Sequence, residues 1–232
     1  MTTMYLSLDD TDNQESRGTG YLARQIAARL ATLCTVTGVT RHQLYVHEAV
    51  PMTSHNSCAV LHLSTNGTSP DNIWDLATGM VADAMADGSD PGVALASPGQ
   101  VTSGVYGFGL AAKGRVVNQR EARALAGHAG IRLAGLGGTE DGVIGALAGV
   151  GLAASGYDGR FILRAALRDL TGTGTVQEIL DAGADGVMTL DGTPVTGGSV
   201  QFTTFPKPVC IRGRAILLVA PSQDGYRDLK VG

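Results

Sequence analysis

Three carboxylates stand close together near the start of the chain, where Asp9, Asp10 and Asp12 follow the apolar run 4–8. At neutral pH neighbouring carboxylates repel one another, and a divalent cation removes that repulsion. Mg²⁺ prefers such oxygens and keeps its other positions for water and phosphate. An EF-hand is excluded, because its twelfth loop position, counted from Asp9, is Gly20 rather than Glu. The acids therefore predict a Mg²⁺ site with a catalytic role, and the competing interpretation is a solvated acidic turn.

A glycine-rich segment, Arg17-Gly18-Thr19-Gly20, stands where a helical pattern begins, with Thr19 seven residues after Asp12. The first turn of a helix exposes free N–H groups and a partial positive charge, and both attract phosphate. Glycine lets an anion approach the backbone, and the Arg17 guanidinium adds a fork for phosphate oxygens. We therefore predict that Arg17, Gly18 and Gly20 bind nucleotide phosphates and that Thr19 is catalytic. Thr19 is also a candidate N-cap, a role compatible with phosphate binding.

A second glycine-rich loop, 137–142, precedes a second helix and contains two acids, Glu140 and Asp141. No Gly-Lys-Ser/Thr and no Gly-x-Gly-x-x-Gly stands in the chain, so neither common nucleotide-binding motif applies. The loop predicts contacts to the ribose or phosphates of ATP, whereas the small residues of the helix itself are equally consistent with close packing. The roles of the two acids stay open. The residues assigned here to ATP binding are Gly137, Gly138, Thr139 and Gly142.

Histidines suggest a further possibility around residues 47–62. His47, His55 and His62 would suit a three-histidine metal site, but His47 and His62 fall on predicted strands and are more simply ordinary strand residues. Asn56 lies in a predicted loop beside His55. We therefore assign Asn56 to nucleotide binding and leave the role of His55 open.

The elements that position these groups follow from hydrophobic periodicity. Residues 4–8 predict a strand that ends at the acids, and apolar residues at helical spacing predict a helix from Thr19. Strands are predicted at 43–50 and 57–63, joined by a connection of hairpin length at 51–56. Hairpins mixed with helices indicate an α+β (mixed α/β) fold, with sheets and packed helices. The remaining predicted helices are 70–88, 119–128, 143–154 and 176–182, and the remaining strands are 93–97, 131–136, 187–190, 200–205 and 216–220.

Composition narrows the class of protein. The chain has 232 residues, 44% of them apolar, which suits one large or two small globular domains. Its three cysteines are far apart and form no Cys-x-x-Cys, which excludes a zinc ribbon and argues against a disulfide framework. We expect no signal peptide and no membrane span, and hence a cytoplasmic protein. The net charge of −4 and the lack of a basic stripe in the sequence argue against strong nucleic-acid binding.

Taken in order, four motifs resemble one enzyme family, the archaeal isoleucine-tRNA agmatinylcytidine synthetases. They are Leu8-Asp-Asp-Thr-Asp12, Arg17-Gly-Thr-Gly-Tyr-Leu-Ala23, Thr53-Ser-His-Asn56 and Gly142-Val-Ile-Gly-Ala-Leu-Ala-Gly149. The resemblance implies the family's catalytic portion, which combines an unusual kinase fold with a ferredoxin-like domain. It implies a kinase-like, ATP- and Mg-binding region at 1–158, with the ferredoxin-like portion around 67–136, and a smaller α+β region at 159–232.

The same resemblance implies a chemistry. The family uses ATP to phosphorylate a cytidine carbonyl oxygen in the anticodon, and agmatine then displaces the phosphate. Its metal-binding and phosphate-binding aspartates fall on Asp9, Asp10 and Asp12, and its phosphorylatable threonine falls on Thr19. The chain lacks the family's OB-fold and zinc ribbon, and the segment before Asn56 lacks the family's Lys and Arg.

We therefore expect an ATP- and Mg²⁺-dependent phosphotransferase or ligase whose acceptor is unidentified. One alternative is a tRNA cytidine-modifying enzyme that acts with a separate tRNA-binding partner, since tRNA is disfavoured as a partner of the isolated chain. The other is a non-catalytic nucleotide-binding module.

Overall fold

The protein is described by a computed structural model that covers residues 2–50 and 55–230. Four of the six residues of the connection predicted at 51–56, including the start of the third family motif, lie outside the described residues. The chain divides into two compact units, Met1–Ser155 and Gly156–Gly232, here called unit 1 and unit 2. The sequence had placed a boundary after residue 158, and the ferredoxin-like portion around 67–136 stays a prediction.

Unit 1 is an antiparallel sheet with packed helices. Its strands are β1 (Thr3–Asp9), β2 (Thr35–Gln43), β3 (Ser57–Ser64), β4 (Gly92–Ala96) and β5 (Arg132–Gly135). Its helices are α1 (Thr19–Leu30), α2 (Pro70–Ala84), α3 (Ser103–Gly114), α4 (Gln119–Ala129) and α5 (Gly142–Ser155). The strand order is β5–β4–β1–β3–β2, and each neighbouring pair is antiparallel. The acids therefore leave the sheet at the end of β1, a strand paired on both sides.

Helix α5 is apolar on every side because the sheet and other helices surround it. It contacts β1, β4 and α3, and its residues from Gly142 to Ala153 are nearly all buried. Glycine permits the closest approach, since a Cβ at Gly142 would overlap with the Asp90 carbonyl oxygen and the Gly92 nitrogen. The packing brings the start of α5 against the end of β1. The helix predicted at 143–154 is thereby confirmed, with both ends one residue longer.

One predicted strand is wrong. Residues 43–50 do not form a strand, because β2 occupies Thr35–Gln43 instead. The backbone N–H of Leu44 still bonds to the Asn56 carbonyl at 2.9 Å, but that of Tyr45 bonds to the Ala112 carbonyl of α3 at 2.8 Å. The chain therefore turns from the sheet toward a helix that the sequence did not predict.

Unit 2 is a smaller mixture of strands with one short helix among its described residues, α6 (Val176–Asp181). Thr175 and Glu178 form a capping box at its start, which fixes the helix locally. The core gathers buried side chains that include Ile179, Val200 and Leu217. The strands are β6 (Arg160–Leu163), β7 (Thr173–Thr175), β8 (Gly186–Thr189), β9 (Ser199–Gln201), β10 (Val209–Ile211), β11 (Arg214–Ser222) and β12 (Gly225–Asp228).

Pairing in unit 2 is mixed. The order β6–β10–β11–β12–β9–β7 contains one parallel pair, β12 with β9, and β8 adds a second parallel pair with β11. Together the two units confirm the α+β class. Cys34 and Cys58 in unit 1 and Cys210 in unit 2 are buried. In the described residues no helix is both long and apolar enough to span a membrane, and the cytoplasmic location stays a prediction.

Candidate functional site

A cleft of about 240 Å³ opens in unit 1 where β1 ends and α5 begins. Its lining combines a group of acids, here called the acidic end, with a set of apolar and aromatic side chains. The acidic lining consists of Asp9, Asp10, Asp12, Asp90 and Asp141. The apolar and aromatic lining consists of Leu44, Tyr45, Ala49, Val50, Ala112, Val116, Val117 and Ile144. A cleft of this kind can bind a ligand that has a flat apolar part and a second part that is positively charged or binds a cation.

Asp9 is the last residue of β1, and its carboxyl group lies against the first turns of α5. A Cβ on Gly145 would overlap with the Asp9 Oδ2 atom, so only glycine leaves room for that carboxylate. Burial raises the pKa of Asp9 to about 8, and the charges of Asp10 and Asp12 add to the shift against a backbone hydrogen bond. At neutral pH this carboxyl therefore keeps its proton unless a cation takes the proton's place.

Asp10 stands in the left-handed region of backbone space, with a φ of 53°. Such a conformation is uncommon for a residue other than glycine and is often found at functional sites. Burial raises its pKa to about 6, and the charges of Asp90, Asp12 and Asp141 contribute while a backbone hydrogen bond from Asp90 opposes them. Four aspartates thus act on one another here, which makes the acidic end suited to bind positive charge.

Two of these acids arrive from distant parts of the chain. The Asp90 Oδ1 atom accepts a hydrogen bond from the Thr139 backbone N–H at 2.5 Å. The Asp141 Oδ1 atom accepts one from the Gln119 side chain at 2.7 Å. Asp90 was not among the predicted site residues, and the role of Asp141 had been left open. No local signal marks Asp90, because its place in the site depends on how the loop before β4 meets the loop before α5.

Asp12 and Thr19 form a buried hydrogen-bond network with Thr11. Asp12 Oδ1 accepts from the Thr19 backbone N–H at 2.9 Å and from the Thr19 hydroxyl at 2.8 Å. Thr19 Oγ1 in turn accepts from the Thr11 N–H at 3.2 Å and the Thr11 hydroxyl at 3.0 Å. The N-cap of α1 is Gly18, so the interpretation of Thr19 as the N-cap is wrong. Asp12 supplies the capping acceptor instead, from seven residues upstream.

The rest of the first glycine-rich segment lies outside the cleft lining. The Arg17 guanidinium stacks over the Tyr21 ring at 4.5 Å, and the Gly20 carbonyl accepts a hydrogen bond from Arg24 at 2.7 Å. Arg17, Gly18 and Gly20 are not among the residues that line the cleft. Their assignment to phosphate binding stays a prediction that would require a ligand extending past the cleft.

In the second glycine-rich loop, some residues only hold the structure together and others line the cleft. Thr139 donates its backbone N–H to Asp90, and the Gly137 carbonyl bonds to the Glu140 N–H at 3.1 Å. Gly142 lines the cleft, whereas Gly137, Gly138 and Thr139 do not. Glu140 forms an ion pair with Arg123 at 2.5 Å and does not line the cleft. The loop therefore holds Asp90 in place, and its own contact to a ligand stays a prediction.

Asn56 and His55 both line the cleft. The Asn56 side chain donates to the Tyr45 carbonyl at 2.7 Å, so the amide anchors the segment that leaves β2. His47 lies outside any strand, contrary to expectation, and its ring stacks on that of Tyr45 with centroids 5.3 Å apart. Within 2–50 and 55–230 no three His, Cys, Asp or Glu side chains are arranged to hold a metal ion.

The acidic end nevertheless has the donor chemistry of a Mg²⁺ site. Its groups are carboxylate oxygens, and burial together with mutual repulsion raises the pKa values of Asp9 and Asp10. Asp9, Asp10 and Asp90 come from segments whose backbones are fixed by α5 and β4. One Asp12 oxygen is already engaged by Thr19. The donor types suit Mg²⁺ although the side chains are not arranged around a metal ion, so the Mg²⁺ site stays a prediction, with Asp90 as a further candidate ligand.

Comparison with solved structures shows that part of this chain shares the fold of part of one known enzyme. No protein-family model and no curated protein matches the sequence. Solved structures of TiaS, a tRNA agmatidine synthetase, do match with probability 1.00. The fold resemblance expected from the motifs is thus confirmed for a portion of that enzyme.

Three of the TiaS structures match this chain to a similar degree. Apo TiaS gives a TM-score of 0.56 at 21% identity and covers 64% of this chain and 35% of TiaS. The complex of TiaS with its tRNA and ATP gives 0.57 at 21% identity, covering 65% and 36%. The complex of TiaS with its tRNA, AMPCPP and agmatine gives 0.56 at 20% identity, also covering 65% and 36%. The match thus spans about a third of TiaS, and at this identity it shows the fold alone.

Proposed function

We propose that unit 1 is the catalytic core of an ATP- and Mg²⁺-dependent phosphotransferase or ligase that activates an acceptor by phosphoryl transfer. The observation that carries the proposal is the acidic end of the cleft, where burial and mutual repulsion raise the pKa values of Asp9 and Asp10 to about 8 and about 6. Perturbed carboxylates inside a cleft mark functional sites more often than structural ones. The TiaS fold supports the same class of chemistry, because solved TiaS complexes contain ATP and tRNA.

The two kinds of side chain in the cleft suit the two parts of a nucleotide, its apolar base and its charged phosphates. An adenine ring would lie among Leu44, Val117 and Ile144, which offer apolar contact. The phosphates would then extend toward Asp9 and Asp10, where Mg²⁺ would be held by Asp9, Asp10 and Asp90. The metal would neutralise phosphate charge, and phosphoryl transfer depends mainly on such positioning and neutralisation.

Thr19 is proposed to orient the transferred phosphoryl group or to accept it transiently. Its hydroxyl lines the cleft and donates to Asp12, a carboxylate that is placed to receive the hydroxyl proton. The same bonds serve folding, because Thr19 and Thr11 are buried. The acceptor is left open, and tRNA is a candidate for a protein with this fold.

Product analysis tests the proposal. The purified chain is incubated with Mg·ATP, with and without tRNA and agmatine, and the nucleotides are separated by chromatography. We expect a Mg²⁺-dependent conversion of ATP to ADP, because transfer of the γ-phosphoryl group leaves ADP; AMP with pyrophosphate would indicate attack at the α-phosphate instead. Asp10→Asn should abolish turnover, because Asp10 faces Asp90, Asp12 and Asp141 at the proposed metal position.

Asp83→Asn is the matched control, since Asp83 is an exposed acid of α2 outside the cleft lining and its loss should leave turnover unchanged. If Mg·ATP binds with an affinity that depends on Asp10 but no acceptor induces turnover, the non-catalytic nucleotide-binding module is favoured instead. Equal turnover in wild type and Asp10→Asn would remove the acidic end from the mechanism.

A further inference from the structure

Unit 2 contains a cluster of cations that the linear sequence conceals. The ring of Phe205 has the Arg168 guanidinium 4.2 Å from its centroid and the Lys207 ammonium 4.7 Å from it. Arg168 is further fixed by a hydrogen bond from its guanidinium to the Ile162 carbonyl at 3.0 Å. An aromatic ring with two cations on it holds both charges in defined places.

Two more cations join this pair. Arg160 pairs with Val209 across β6 and β10, two residues from Lys207. Burial lowers the pKa of Lys207, and the positive charges of Arg160, Arg168 and Lys230 lower it further, with only partial opposition from Asp228. Lys207 is thus close enough to the other three cations to be repelled by each of them, and the four basic residues are here called the basic cluster. They are Arg160, Arg168, Lys207 and Lys230.

No carboxylate forms an ion pair with the cluster among the described residues, although the charge of Asp228 acts on Lys207. Among the described residues of unit 2, none of its four members forms an ion pair, whereas nearby Arg164 pairs with Asp185 at 3.2 Å. The Arg160 Nε atom is buried without a hydrogen-bond partner, so packing rather than a carboxylate holds that side chain. Gathering like charges in this way costs stability, and an anionic ligand would reverse the cost.

We propose that the basic cluster binds the phosphodiester backbone of single-stranded nucleic acid. Four neighbouring cations carry more positive charge than a ligand with a single carboxylate would neutralise. A chain of phosphates supplies several negative charges side by side. Arg and Lys together supply forked and point contacts to phosphate oxygens, and proteins that bind single strands use positively charged surfaces that follow the backbone. No cleft residue takes part, so the proposal stands independently of the proposed function. It runs against the expectation, based on the net charge and on the lack of a basic stripe in the sequence, that the chain does not bind nucleic acid strongly.

Fluorescence anisotropy tests the proposed nucleic-acid binding. The full chain is titrated into a labelled single-stranded RNA of mixed sequence, and the titration is repeated with DNA of the same sequence. Four phosphate contacts predict that log K falls with log salt with a slope of about −3, and Lys207→Gln should reduce that slope by about 0.7. Arg168→Gln combined with Lys207→Gln should weaken binding about tenfold or more for both nucleic acids. Thermal melting of each variant confirms that unit 2 remains folded.

Arg212→Asn is the matched control. It removes one exposed unit 2 cation outside the cluster, and asparagine tolerates its φ of 53°. This variant should bind as the wild type does. Equal affinity in the control and the double variant would overturn the proposal, as would binding of inorganic tripolyphosphate without binding of either oligonucleotide. ATP turnover measured in parallel separates this outcome from a failure of the cleft.

Discussion

The two units each gather like charges at one place, but they hold them differently. In unit 1 the carboxylates of Asp9, Asp10 and Asp90 are held by short side chains on a fixed backbone. Glycines of α5 let this helix approach the end of β1 closely. In unit 2 the cations stand on long side chains arranged around Phe205. Residues 1–155 carry nine basic and thirteen acidic residues, whereas 156–232 carry eight of each, so the acidity of the chain belongs to unit 1.

The difference has a physical lesson. Short carboxylate side chains reach one point only if their backbones approach closely, and such an arrangement is rigid and suited to a small hard cation. Long cationic side chains adjust to a partner whose phosphates are spaced along a chain. A cluster of like charges therefore indicates a ligand of the opposite charge. A rigid cluster suits a small ion, and a flexible cluster suits an extended ligand.

The largest expected effect tests the rigidity of the acidic end. Gly142→Ala should destabilise the protein by about 3 kcal/mol or more, because the new Cβ would overlap with backbone atoms of Asp90 and Gly92 that cannot rotate away. Gly107→Ala in α3, where a Cβ meets nothing within 4 Å, is the matched control and should be neutral or slightly stabilising. Urea denaturation gives both values. Similar stabilities for the two variants would show that the close approach does not hold the site.

The buried threonine network should give an intermediate effect. Thr19→Val removes the oxygen that accepts from Thr11 and donates to Asp12, and we expect a loss of about 1–3 kcal/mol because buried donors lose their partner. Thr19→Ser keeps those bonds and should retain most of the stability. Turnover measured at a temperature where both variants are folded then separates chemistry from folding. A Thr19→Val protein as active as wild type would leave the hydroxyl with a structural role alone.

The last effect concerns pH and is measured as a change of slope. Because the folded-state pKa of Asp9 is raised, its protonated form favours folding, and this contribution is lost as pH rises from about 4 through about 8. Asp9→Asn should therefore flatten the decline of Tm over that range and raise apo stability at pH 8 relative to the wild type. Calorimetric scans without Mg²⁺ measure it. A wild-type Tm that does not decline between pH 4 and pH 8 would contradict the raised pKa.

The sequence predicted the parts of the site that are local. Asp9, Asp10 and Asp12 were visible because they adjoin a strand end, and α1 begins at Thr19 as predicted. Asp90 and the basic cluster were not visible, since their members meet only through tertiary structure.

Helix α3 shows why propensity alone fails. Ser103–Gly114 contains four glycines, each of which disfavours a helix by about 1 kcal/mol. Yet a Cβ at Gly109 would lie 2.9 Å from the Ala148 carbonyl oxygen of α5, so the residue that weakens the helix allows it to pack. The wrong strand at 43–50 has the same origin. Its apolar residues serve the cleft and the contact of Tyr45 with α3 rather than a sheet.

The three buried thiols have a practical consequence for kinetics. Cys58 is fully buried under α5 in unit 1, and Cys210 lies on β10 in unit 2 with 3% of its surface exposed. A thiol reagent reaches such groups only when the surrounding structure opens, so the labelling rate of each cysteine reports the opening of its own unit. Mass spectrometry of the modified peptides would thus time the two units separately within one molecule, without any engineered probe. If a ligand is added to the same reaction, slower labelling of one cysteine would show which unit that ligand stabilises.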